Sequence, residues 1–243
     1  MSLFQIQINS IEWILFLVFL AGLCMPLGGL LARAKLFSSK WLELEFRHFV
    51  IALGGGILLG AVALVLVPEG MAAFNGSSYS ILLFITGGLL FFGLEKYLGL
   101  KRREQPQLTG MVLDYLPEAL ALGGLAITRP DLAPFVALLI GLQNLPEGFN
   151  AFHELENINH RAGKTLAIMF ALSLTGPLAT YIGYLYLANN HYLLGSVLLI
   201  SAGGILYLIF QDIAPQSKLQ KHWAPSLGAV LGFATALIAQ SLL

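Results

Sequence analysis

The sequence predicts an all-α membrane protein: a bundle of eight transmembrane helices forming a single transporter domain over 1–243, with both termini on the non-cytoplasmic side. Three observations predict this. Of 243 residues, 57% are hydrophobic and 11% charged, whereas an ordinary soluble domain carries about 25% charge. The apolar residues fall into eight runs, each long enough to cross a bilayer. The basic residues alternate between the connections. A chain of this composition cannot wet a soluble globule, stay disordered or neutralise nucleic-acid phosphates, so a nucleic-acid partner is excluded and a lipid bilayer is the expected surrounding.

The runs cover 11–32, 48–68, 79–99, 109–128, 132–152, 165–188, 191–213 and 223–243. No Lys or Arg precedes the first run, so it is expected to be a true helix, not a cleavable leader. It holds Cys24, the one cysteine of the chain, which rules out an intramolecular disulfide. The second run contains Gly54, Gly55 and Gly56 and ends at Pro68-Glu69-Gly70, and the third contains Gly87 and Gly88 and ends with Glu95 and Lys96, expected to pair at the interface. The fourth and fifth carry mid-span carboxylates. Gly176 and Pro177 lie in the sixth run and Gly203, Gly204 and Asp212 in the seventh. Glycine pairs inside apolar spans predict close helix crossings, not phosphate loops. No segment alternates like a barrel strand, and backbone in lipid must be paired within its own segment, so all eight runs are helices.

Orientation follows from the connections. Arg33, Lys35, Lys40 and Arg47 lie in the first, Lys96, Lys101, Arg102 and Arg103 in the third, Arg161 and Lys164 in the fifth, and Lys218 and Lys221 in the seventh. Only Arg129 lies in an even-numbered connection. The odd connections are therefore expected in the cytoplasm.

Carboxylates at membrane depth are costly and mark function. Asp114 and Glu118 sit in the fourth run and Glu147 in the fifth, within one repeated pattern: a polar residue, three residues, then Glu preceded by Pro. The pairs Asp114/Glu118 and Gln143/Glu147 are four residues apart and so share a helix face. Pro117 and Pro146 lack an N–H, which releases the carbonyls of Leu113 and Leu142 beside the carboxylates. A proline alone is ordinarily a kink, and a lone buried Glu ordinarily bonds a neighbour. Two copies in adjacent runs, with no Lys or Arg in either, leave negative charge that a cation or protons must balance. The donor set is all oxygen, as a divalent cation takes. Glu69 and Asp212 lie near span ends, where vestibule and ligand roles are equally open. His153, Glu154, Glu156 and His160 form a hydrated face or an exit path.

The segments Gln143–Gly148 and Asp114–Ala119 resemble the fifth- and fourth-helix signatures of the ZIP (Zrt/Irt-like protein) family of divalent-metal transporters. Gly55–Gly60 followed by Pro68–Gly70 looks like its second helix, and Ala202–Tyr207 followed by Asp212–Pro215 like its seventh. The resemblance implies a metal site of Asp114, Glu118, Gln143, Asn144 and Glu147. It also implies transport by alternating access, with the ion as cargo, no resident cofactor and no enzymatic activity. Two places depart from the pattern: Asp114-Tyr115 stand where His-Asn is usual, and Gly176-Pro177 where the sixth helix commonly has Glu-Pro. A second metal site found in some relatives is therefore expected to be lost or weakened. Without imidazole the set leans toward manganese or iron, with zinc also within the family's range.

The expected location is a bacterial-type inner (plasma) membrane, and a homodimer is left open. Two competing classes remain. The departures suit a transport-inactive structural or regulatory subunit of a membrane complex. An intramembrane metal hydrolase needs ligands with a position open for water, yet all five histidines lie near span ends or in connections.

Overall fold

The computed structural model describes residues 10–34, 40–98, 106–157, 161–219 and 223–242. Lys35, Lys101, Arg102, Arg103 and Lys221 of the connection-charge expectation, and His160 of the exit-path expectation, lie outside the described residues, as does His222.

Among the described residues there is helix and no strand. Eight long helical segments follow the eight apolar runs. α1 is Ile11–Arg33, its first turn capped by Ser10, whose side chain accepts from the Trp13 N–H. α2 starts as Lys40–Ala61, widens into a π turn at Val62–Leu66 and continues as Val67–Ala72. α3 is Ser78–Leu98, α4 Pro106–Thr128 and α5 Ala133–Asn157. α6 is broken at Leu174 into Ala162–Ser173 and Thr175–Tyr186. α7 starts as His191–Leu208, passes through a second π turn, Ile209–Ile213, and ends with Ala214–Ser217; α8 is Ala224–Ser241. Seven of these segments are long and apolar enough to cross a membrane, the mark of an integral, multi-pass membrane protein. α5 has the length, at 25 residues, but Gln143, Asn144, Glu147, Asn150 and the polar residues of its last turns dilute its hydropathy.

Proline explains the irregular turns. Pro68 and Pro215 cannot donate to the carbonyl four residues back, and just before each the helix widens: the Val67 N–H bonds Val62 O and the Ala214 N–H bonds Ile209 O. In α6, Pro177 leaves the Ser173 carbonyl without its helical donor, and the helix breaks one residue later. Pro117 and Pro146, by contrast, lie inside continuous helices.

The helices pack as two sets of four. α1 lies along α5 and α6, and α4 along α6; α2 lies along α8, and α3 along α7. The sets meet where α2 faces α5 and α4 faces α7. Within the sets, glycines let backbones touch, as the Gly pairs predict. A Cβ placed on Gly28 or Gly148 would stand 2.1 Å from a carbonyl oxygen of the facing helix, α5 or α1 respectively, and one on Gly123 or Gly183 1.9 Å from a carbonyl across the α4–α6 crossing. Gly56 and Gly232 do the same between α2 and α8, and Gly87 and Gly203 between α3 and α7. Across the seam between the sets, the corresponding neighbours are side chains: Pro146 beside Gly54, and Leu194 beside Gly124.

Candidate metal centre

α4 and α5 carry polar side chains into the middle of the molecule. Asp114, Glu118, Gln143, Asn144 and Glu147 are all buried, none more than 7% exposed. Helical spacing puts Asp114 and Glu118 on one face of α4. It likewise aligns Gln143, Glu147 and Asn150, at i, i+4 and i+7, on one face of α5. Asn150 is 2% exposed; the sequence reading missed it, although that spacing was the available signal.

The polar groups engage in pairs. The Gln143 side-chain amide donates to Glu118 Oε2 across the α4–α5 contact. Asp114 and Glu147 present their carboxyl groups to each other, an arrangement that a shared proton or a cation would bridge. Asn144 Nδ2 donates to the Ala21 carbonyl of α1 at 3.0 Å, so this residue also ties α5 to its neighbour. What remains is a surplus of acceptors. Asp114 Oδ1, Glu118 Oε1, Gln143 Oε1, Asn144 Oδ1, both Glu147 carboxylate oxygens and Asn150 Oδ1 are buried without a hydrogen-bond partner. Buried orphan oxygens are costly, and a cation satisfies several at once.

Among the described residues, no group of three or more His, Cys, Asp or Glu is assembled to hold a metal ion. Glu118 is drawn toward Gln143 while Asp114 and Glu147 face each other, so the carboxylates adjoin without closing into a cage. Beside Asp114 and Glu147 lies a cavity of about 20 Å³, also lined by Gly110, Met111, Leu208, Asp212 and Ile213. It places Asp212, on the π turn of α7, next to the buried carboxylates on the side of the third and seventh connections.

Tyr115 explains the small residue at position 176. Its ring is 1% exposed, and its hydroxyl donates at 3.3 Å to the Ser173 carbonyl that Pro177 leaves unpaired. A Cβ on Gly176 would stand 1.8 Å from Tyr115 Oη, and one on Gly22 2.6 Å from it. The phenol therefore fills the volume that a longer side chain at position 176 would need.

Two further expectations resolve. Glu95 does not pair with Lys96: it is 5% exposed and its Oε2 accepts from the Tyr207 hydroxyl of α7. Adjacent residues point around a helix in different directions, which is why the neighbouring charges do not meet. Glu69, at the far end of α2, forms an ion pair with Arg129, which also holds Asp131 at 2.9 Å. The Arg129 guanidinium keeps the Asp131 carboxyl below the usual aspartate range, and Asp131 with Glu69 pushes the guanidinium up. A cavity of about 170 Å³ behind this pair is lined by Glu69, Thr128, Arg129, His191 and the α7 start. His153 sets its ring edge-on to Phe149, with centroids 4.9 Å apart. Compared with models of known protein families the chain matches none, and no curated protein matches it.

Proposed function

We propose that the chain is a ZIP-type transporter that moves a divalent metal ion, manganese, iron or zinc, across a bacterial-type inner membrane through the α4–α5 site. The observation that carries this is the surplus of buried, unpartnered oxygens on two adjacent helices that contain no Lys or Arg. Oxygen donors of this kind suit hard and borderline dications. Asp114, Glu118, Gln143, Asn144 and Glu147 would bind the cargo after Glu118 turns from Gln143 toward Glu147.

Alternating access has a structural counterpart in the two sets of helices. Four crossings within the sets, α1–α5, α4–α6, α2–α8 and α3–α7, bring backbone against backbone at glycines, whereas Gly54 and Gly124 on the seam meet side chains, which can change register. On this reading all eight helices span, the odd connections are cytoplasmic and both termini lie outside. The Arg129–Glu69 pair then closes the outer end, while the cavity beside Asp114, Glu147 and Asp212 leads inward. Three carboxylates around a dication carry a net charge of −1, so exchange of metal for protons is the natural coupling.

A second reading, a transport-inactive subunit on the same fold, is favoured by the absence of an assembled ligand group among the described residues. Uptake of manganese, iron, zinc, cadmium and cobalt into proteoliposomes decides between them. Transport predicts uptake of at least one ion, lost in both Glu118→Ala and Glu147→Ala. Uptake of none, or undiminished uptake in both variants, rejects the site and leaves the subunit reading.

A further inference from the structure

The oxygens left without a partner on α4 and α5 extend further along the helices than one ion can reach. Gln143 and Asn150 are seven residues apart on one face of α5, about 10 Å along the axis. A bound dication holds its oxygens at about 2.0–2.6 Å and so gathers donors from a sphere roughly 5 Å across. Glu147 stands between the two amides with both carboxylate oxygens unpartnered. Asn150 is 2% exposed, its Oδ1 is unpartnered as well, and the five-residue site proposed above does not use it. Helical side chains lean toward the N-terminal end of their helix, so Asn150 leans back over the turn of Glu147, about 4.5 Å away along the axis.

α4 supplies no side-chain oxygen at this level. The Glu118–Gln143 and Asp114–Glu147 pairs fix the antiparallel register of the two helices, and three residues further on it brings Met111 level with Asn150. Met111 lines the cavity of about 20 Å³ beside Asp114 and Glu147, but a thioether is a poor ligand for a hard dication. Asn150 is thus the donor that continues the series toward the fifth connection. The cavity itself has room for one water, which needs about 10–15 Å³, to complete an ion's shell.

Resting on the transport reading above, we propose that Asn150 is a ligand of a second cation position, formed with Asp114 and Glu147 one turn nearer the fifth connection, to which the ion steps from the level of Gln143 before its release. The first position includes the Glu118 carboxylate and the second a neutral amide in its stead, so one negative charge fewer holds the ion as it leaves. Both positions use Asp114 and Glu147, and a single ion occupies them in turn.

Calorimetry and thermal midpoints of the solubilised protein with manganese, and in parallel with zinc, test this together with uptake of the same ions into proteoliposomes. Asn150→Leu keeps the size of the side chain and removes its oxygen. Because a buried orphan acceptor goes with it, the metal-free midpoint should equal or exceed that of the wild type. The bound ion should then raise the midpoint less, and turnover at saturating metal should fall several-fold. Asn150→Asp adds a charge to the release position, so metal should bind about tenfold tighter and leave more slowly, with turnover again reduced. A lower metal-free midpoint in Asn150→Leu combined with the wild-type increment on adding metal marks a purely structural amide and overturns the proposal, as does wild-type affinity in Asn150→Asp. Absence of uptake in a wild type that binds metal strikes instead at the transport reading, and the midpoint and calorimetric arms then decide alone whether Asn150 holds the ion. Binding of neither ion by the wild type rejects both.

Discussion

Tyr115 occupies the place where this chain departs furthest from the pattern it resembles, and packing explains why its partner position is glycine. The ring is locked between Gly22, Ser173 and Gly176, so the large residue on α4 and the small one on α6 form a matched pair. Gly176→Glu alone should overpack this spot and destabilise the protein by about 1–3 kcal/mol, read as a lower thermal midpoint. Combining it with Tyr115→Asn should recover the midpoint and raise metal stoichiometry in calorimetry from one ion to two, because the new carboxylate and amide then fill the vacated volume. Unchanged stoichiometry in the folded double variant would show that no second site can be rebuilt there. At Asp114, substitution by His exchanges a hard oxygen for an imidazole nitrogen. Competition between zinc and manganese should then shift toward zinc by about tenfold, equivalent to roughly 1.4 kcal/mol; an unmoved ratio removes Asp114 from the ligands.

At the scale of elements, the informative contacts join segments far apart in the chain. Arg129, in the α4–α5 turn, reaches Glu69 at the end of α2 and so bridges the two sets of helices. The pair is partly exposed, and such pairs contribute about 0–1 kcal/mol to stability. Arg129→Gln should therefore leave the thermal midpoint nearly unchanged while loosening one end of the seam. In a Cys24→Ser background, a cysteine introduced at Thr128 should react faster with an impermeant maleimide when Arg129→Gln is added. Equal rates would mean that the pair closes nothing. The apolar runs were legible because a bilayer demands about 20 apolar residues per span. The polar pattern around both mid-span glutamates was legible because helical spacing fixes which side chains share a face. The break at Leu174 and the π turns were not read, although Pro68, Pro177 and Pro215 were the local signals. The Glu95–Tyr207 contact spans 112 positions and leaves no trace in local periodicity. The rule that adjacent helical residues diverge, however, already argued against pairing Glu95 with Lys96.

For the whole molecule the governing fact is charge balance. Asp114, Glu118 and Glu147 are buried on helices without Lys or Arg, so protons and the dication compete for the same oxygens. Metal affinity should weaken as pH falls, and adding manganese near neutrality should release protons, visible as a dependence of the calorimetric heat on buffer ionisation. Equal heats in all buffers would mean that the carboxylates bind metal without giving up protons. The seam has a kinetic meaning of its own. Each pair of carbon atoms across it is worth only about 0.1–0.2 kcal/mol, so side-chain surfaces such as the Pro146 ring against Gly54 can be re-registered a few contacts at a time. A glycine crossing, whose backbones already touch, would have to be surrendered as a unit. Friction is low along the seam and high along the glycine crossings, which confines the proposed stroke to a single direction. Thickening or stiffening the lipid around the exposed flank of α3 should then slow turnover while leaving the affinity for the ion where it was.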